Sequence, residues 1–198
     1  MTTNKKTRDV VVDHIAESLA VKNALLNDGH ALDTIAIIAE ICTEAYQRGN
    51  KVIWAGNGGS AADAQHMAGE MVSKFYLDRP AVPSIALTTD TSVLTSIGND
   101  YGYSKVFSRQ LQANGVKGDV FIGISTSGNS QNLVESLAMC REKGITTVAL
   151  VGSNPCKMDV WDYVVKIPSK VTPRIQECQT LIGHIICCIV EDNLFGEK

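Results

Sequence analysis

Apolar residues recur every three or four positions in the first fifty residues. Val11, Ile15, Leu19 and Leu26 form one such run, which Asn27-Asp28-Gly29 breaks, and Leu32, Ile35, Ile38, Ile41, Cys42 and Ala45 form a second, ending at Gly49. This spacing predicts two amphipathic helices. A helical hairpin ahead of a main domain leaves a second apolar stripe in need of cover, which predicts an oligomer interface. From Lys51 the texture changes. Short runs of branched apolar residues at 52–55, 84–87, 120–124, 146–151 and 163–167 alternate with amphipathic stretches, at 61–75, 129–143 and 173–194. Strands alternating with helices predict an α/β fold, a parallel sheet covered on both faces. No linker or repeat divides it, so the chain reads as a helical extension over residues 1–50 and one domain over 51–198.

Composition narrows the function classes. A length of 198 residues suits one α/β domain with a substantial core. The net charge of −3, with no basic patch, argues against a nucleic-acid partner. The longest apolar stretch, 181–190, contains His184 and falls short of the roughly 20 residues a membrane span needs. Residues 1–8 are polar and basic with no apolar core after them, so no secretory signal is expected. Six cysteines without a C-x-x-C pair read as reduced thiols of a cytoplasmic protein. Cys187 and Cys188, being adjacent on a helix, point in different directions.

Four features carry candidate chemistry. Gly56-Asn57-Gly58-Gly59-Ser60 follows the strand at 52–55 and opens a helix. Such a loop lets a ligand approach the backbone and meet unpaired helix N–H groups. It matches neither a nucleoside-triphosphatase loop nor the dinucleotide fingerprint, and alone it equally suits a plain strand-to-helix turn. Ser125-Thr126-Ser127-Gly128-Asn129-Ser130 brings four hydroxyls and a glycine to another helix start, where a cap uses only one, and so suits a phosphate monoester. His66 and Glu70, at i and i+4 after Asp63, share a helix face, as a metal site, a proton-transfer pair or a surface ion pair would. Arg174-Ile-Gln-Glu and His184 lie on the last helix. A histidine among apolar residues is more often a satisfied core residue than a ligand, but Gly183 beside it allows close approach. Gln176 and His184 stand eight residues apart, about 12 Å along an ideal helix.

Together, Trp54-Ala-Gly-Asn-Gly-Gly-Ser-Ala-Ala-Asp-Ala-Gln-His66, Glu70, Leu87-Thr-Thr-Asp-Thr-Ser, Ile97-Gly-Asn-Asp-Tyr-Gly, Ile124-Ser-Thr-Ser-Gly-Asn-Ser and Arg174-Ile-Gln-Glu resemble the phosphoheptose isomerases, over essentially the whole chain. The resemblance implies a sugar-isomerase (SIS) fold, a flavodoxin/Rossmann-like three-layer sandwich, assembled as a homotetramer. It implies conversion of D-sedoheptulose 7-phosphate to D-glycero-D-manno-heptose 7-phosphate, the first step toward nucleotide-activated heptose for lipopolysaccharide core or other surface glycans. It also implies substrate contacts from Asn57, Gly58, Gly59, His66, Glu70, Asn99, Asp100, Ser125, Thr126, Ser127, Ser130 and Gln176. Zinc would be held by His66, Glu70, Gln176 and His184, one ion per subunit in a labile site, with Glu70 as base and His184 as acid. Two positions depart from the pattern of some members: Lys74 replaces an arginine, keeping the charge but losing the bidentate fork, and Pro173 replaces an acidic residue. The competing reading is a non-catalytic phosphosugar-binding regulator of the replication-initiator-associating type, which would need neither Glu70 nor His184. Because the last helix carries more apolar surface than one sheet face requires, each site is expected to be completed by a neighbouring subunit, with His184 beside a foreign Glu70 or phosphate loop.

Overall fold

The computed structural model describes residues 5–197, and of the polar stretch 1–8 the first four residues lie outside them. Five parallel strands form one sheet in the order β2-β1-β3-β4-β5: β1 (Val52–Gly56), β2 (Ser84–Ala86), β3 (Val120–Ser125), β4 (Thr146–Gly152) and β5 (Tyr163–Ile167). Side chains alternate across a strand, so each strand feeds two cores. Val52, Trp54, Val120, Ile122, Val148, Leu150 and Val165 pack on one face with three helices: α2 (Gly29–Gln47), α3 (Gly59–Val72) and α7 (Thr172–Phe195). Ile53, Phe121, Ala149 and Val151 pack on the other with α5 (Val106–Asn114) and α6 (Gln131–Lys143). The middle strands are buried along their whole length, which explains why they read as continuous apolar runs.

The sequence expectations for the strands and for these helices hold within a few residues. α3 stops at Val72, three residues short of the predicted end, because Ser73 leaves helical geometry. Two helices were not expected: α4 (Thr91–Tyr101) and α5. α4 has no buried residue and α5 is only 9 residues long, so neither shows a long apolar stripe. Asp90 starts α4, its carboxylate accepting from Val93 N at 3.0 Å.

α2 belongs to the core, with Ile35, Ile38, Ala39 and Cys42 packed under the sheet. α1 (Lys5–Leu26) buries only Leu25, and Val11, Ile15, Leu19 and Leu26 are each more than half exposed. Polar contacts tie α1 to the start of α7: Arg174 Nη1 donates to His14 O at 2.7 Å, and Ser18 Oγ donates to Glu177 Oε2 at 2.6 Å. Pro173 sits in the first turn of α7, where its missing N–H has no helical partner to lose. α7 is long and apolar enough to cross a membrane by length and composition alone, yet here Ile182, Ile186, Cys187 and Val190 are core residues.

Candidate active site

Because β1 pairs with both β2 and β3, the chain reverses its direction of travel across the sheet between β1 and β3. The loops after these two strands therefore diverge to opposite faces and leave a crevice at the strand ends, where open α/β sheets bind ligands. A cavity of about 170 Å³ lies there, lined by Asn57, Ser60, Ile124, Ser125, Thr126, Ser127, Ser130 and Gln176. Two helices start at it, and neither is capped by a side chain at its N-cap residue, Gly58 for α3 and Ser130 for α6. Free N–H groups and two positive helix ends make this a cradle for an anion. Within the second loop, Gly128 N donates to Ser125 Oγ at 3.1 Å and Asn129 N to Ser127 Oγ at 3.2 Å, which fixes the loop's shape. No lysine or arginine lines the cavity, so recognition there is by neutral donors.

The two loops are strapped together. Asn57 and Asn132 pair amide to amide, each Nδ2 donating to the other's Oδ1, at 3.0 and 2.9 Å. Tyr103 adds its hydroxyl, donating to Asn57 Oδ1 at 3.2 Å. Asn57 thus has its side chain committed to holding the cradle shut.

From the cradle, α3 and α7 run side by side with matching residues about 117 positions apart. A Cβ on Gly59 would stand 2.5 Å from Gln176 Nε2, so the bare glycine backbone is what the Gln176 amide rests on as it closes the cradle, and a larger residue would make that amide swing aside. One turn on, Thr180 Oγ1 donates to Asp63 Oδ1 at 2.7 Å. Burial raises the Asp63 carboxyl above its ordinary value, against the opposing pull of that hydroxyl and the nearby imidazoles of His66 and His184. Next, a Cβ on Gly183 would lie 2.4 Å from Met67 Sδ, so the Met67 side chain of α3 packs directly on the bare backbone of α7 here. That contact brings His184 over α3. His66 Nε2 is 2.8 Å from Glu70 Oε1 and 3.4 Å from His184 Nε2, and the two imidazoles meet edge to face at 4.8 Å between centroids. Ligand atoms of His66, Glu70 and His184 all lie within 4.8 Å of one another. Two imidazoles and a carboxylate converging in this way fit a divalent cation of the zinc type.

Most residues singled out from sequence therefore converge. The cradle gathers Asn57, Ser125, Thr126, Ser127, Ser130 and Gln176, with Gly58 and Gly59 at the start of α3, and the second cluster gathers His66, Glu70 and His184. Gln176 stands at the cradle end of α7, two turns before His184. Asn99 and Asp100 lie apart, exposed on α4, with Asn99 Nδ2 donating to Asp100 Oδ1 at 2.8 Å. The expectation that His184 reaches a foreign Glu70 is corrected, since close packing at Gly183 sets it beside the Glu70 of its own chain. Residues that sequence reasoning missed are Asn132, Tyr103, Phe75, Arg79 and Glu191. Glu191 carried only a spacing signal, a carboxylate seven residues after His184 and so on the same helix face, and it sits at the start of the polar run Glu191-Asp192-Asn193.

Comparison with known proteins places these features in context. The SIS domain family model matches residues 13–152. The chain is 60% identical over 191 residues to a phosphoheptose isomerase of Aneurinibacillus thermoaerophilus, covering 96% of each protein. It is 57% identical to phosphoheptose isomerase 2 of Campylobacter jejuni, over 93% of this chain and 92% of that one. Its fold superposes on the structure of a phosphoheptose isomerase from Neisseria gonorrhoeae with a TM-score of 0.87 and 38% identity, over 94% of this chain and 99% of that one.

Proposed function

This chain belongs to the SIS-domain family and, within it, to the phosphoheptose isomerases, and from that premise we propose how its own residues interconvert D-sedoheptulose 7-phosphate and D-glycero-D-manno-heptose 7-phosphate. The observation that carries the assignment of roles is the convergence of Glu70, His66 and His184 on the same pair of helices that closes the anion cradle. The 7-phosphate occupies the cradle, held by the N-termini of α3 and α6 and by Ser125, Thr126, Ser127 and Ser130. The extended sugar then runs along the α3/α7 seam past Asp63 and Thr180, so that C1 and C2 reach the cluster.

Isomerisation moves one proton between C1 and C2 and another between O1 and O2. Glu70 takes the proton from C1 of the ketose and returns it to C2, on one face of the enediol. His184 relays the proton between the oxygens, where an imidazole can both give and accept near neutral pH. A bound divalent cation would polarise the carbonyl and stabilise negative charge on O1 and O2. His66, Glu70 and His184 would hold it, with Gln176 as the fourth ligand carried over from the family. The full contacts from Asn99 and Asp100, a homotetrameric assembly, a cytoplasmic location beside other sugar phosphates, and a place at the start of activated-heptose synthesis for lipopolysaccharide or other surface glycans belong to the same proposal.

The test is an NMR assay of purified protein with sedoheptulose 7-phosphate in D₂O, with and without chelator. Wild-type protein equilibrates ketose and aldose and exchanges the C1 proton. Glu70→Gln loses turnover by at least about a thousandfold while binding phosphosugar within about tenfold of wild type, because its carboxylate acts in the transition state more than in the ground state. Near-normal turnover of Glu70→Gln removes it as the base. Phosphosugar binding without turnover in metal-replete wild type points instead to the regulator.

A further inference from the structure

Glu191 lies two turns beyond His184 on the same face of α7. Its side chain and that of its partner Arg79 are each 2% exposed, and nearly every polar atom of the pair is committed. Glu191 Oε1 accepts from Phe75 N at 2.9 Å and from Arg79 Nε at 3.0 Å. Its Oε2 accepts from Tyr76 N at 2.6 Å and Leu77 N at 3.0 Å. Arg79 works in the other direction, donating through Nη1 to Met71 O at 2.7 Å and through Nη2 to Glu70 O at 3.1 Å. The last carbonyls of a helix have no partner within it, so the guanidinium caps the end of α3 that carries Glu70. One ion pair thus joins three segments: the end of α3, the turn at 73–79 and α7.

The turn presents one side chain to the cluster. The Phe75 ring lies 5.6 Å from the His184 ring, tilted 37°, and also packs against Tyr76 at 4.3 Å. The pair therefore fixes Glu70 through its backbone and His184 through an aromatic contact. A buried ion pair is a weak source of net stability, because desolvation offsets most of its attraction. What it supplies is one geometry out of many, and here that geometry belongs to the two groups assigned to proton transfer.

We propose that Arg79, Glu191 and Phe75 form a positioning unit for the isomerisation, in which the buried ion pair holds the Phe75 ring against His184 and fixes the Glu70 end of α3. The proposal rests on the reading of Glu70 and His184 as the acid–base pair. None of the three residues touches substrate in this scheme. Their substitution therefore alters the rate of the chemical step and not the hold on phosphate, which sits about four helical turns away in the cradle.

The experiment is a double-mutant cycle on the full-length metal-replete enzyme with Phe75→Leu, Glu191→Gln and the double variant, measuring kcat, KM and Tm. Phe75→Leu lowers kcat about tenfold with KM within about twofold and Tm within about 5 °C of wild type, since small displacements of catalytic groups cost rate steeply. Glu191→Gln lowers kcat through the same contact, so the double variant is no slower than the slower single one. A purely structural pair gives a different outcome, a lowered Tm with kcat of the folded fraction unchanged. The proposal is overturned if Phe75→Leu keeps kcat within about twofold, if the loss appears in KM, or if the two losses multiply. Should Glu191→Gln not fold, Arg79→Lys takes its place, and if neither folds Phe75→Leu decides alone. Turnover by wild type but not by Glu70→Gln shows that the underlying reading stands, so a failure of these variants then counts against the positioning unit only.

Discussion

At Gly183 the geometry of the whole site depends on a missing methyl group. The helices α3 and α7 touch there, with Met67, itself buried, directly over the glycine. Gly183→Ala is expected to cost about 1–3 kcal/mol, because the buried Met67 side chain must shift off its rotamer or the helices must spread. Urea unfolding measures the loss, and a change below about 0.5 kcal/mol, the size of an ordinary surface substitution, would show that the contact is soft. Activity should fall further than stability alone explains, since the same spreading draws His184 off His66. Several of the residues that matter were visible one by one in the sequence. Four hydroxyls in six residues at a helix start, and a His–Glu pair at i and i+4, each announce chemistry through local spacing. Asn132 and Tyr103 announced nothing, because their role is to meet Asn57 from 75 and 46 residues away, and no local period records such a meeting.

Among the elements, α3 and α7 carry the chemistry and the Arg79–Glu191 pair fastens their far ends. Burial by itself would raise the Glu191 carboxyl, but the N–H groups of Phe75, Tyr76 and Leu77 and the Arg79 guanidinium hold it below the ordinary carboxylate value. A carboxyl whose folded-state value lies below its unfolded value stabilises the fold fully above the unfolded value, roughly 4.3, and loses that contribution as pH falls toward the folded value. Stability should therefore drop as pH falls from about 5 toward 3, and Glu191→Gln should flatten that slope while lowering stability at pH 7. Denaturant titrations at several pH values check this, and equal slopes for the two proteins would show that other carboxylates govern the acid limb. The helical periods of α2, α6 and α7 were legible because each lays a long apolar stripe on the sheet. Those of α4 and α5 were not, because α4 lays only Leu94 and Ile97 partly buried against the core and α5 is too short to repeat its pattern.

For the molecule as a whole, the apolar stripe of α1 is the outstanding surface. Val11, Ile15 and Leu19 face outward, while polar contacts from Arg174 and Glu177 hold the helix in place. Under the proposed tetramer this stripe is covered, so Leu19→Glu should lower the mass seen by light scattering from four chains to fewer, and an unchanged mass would exclude α1 from the interface. Co-expression of Glu70→Gln with His184→Ala should recover no activity even in proven mixed oligomers, because Glu70 and His184 stand together within one chain. Recovery toward a quarter of wild type would restore the shared-site expectation. By itself the sequence determined the alternation of strand and helix, the two glycine- and hydroxyl-rich loops at helix starts and the His66–Glu70 pairing on one helix face, because each is written in spacings of a few residues that local backbone geometry obeys. Only the tertiary structure decided that Gln176 closes the cradle while His184 joins His66 and Glu70 of its own chain, and that Glu191 and Arg79 stand behind them. Those outcomes follow from how closely two helices more than a hundred residues apart pack on one sheet face, a distance set by the side chains between them and by no pattern along either one.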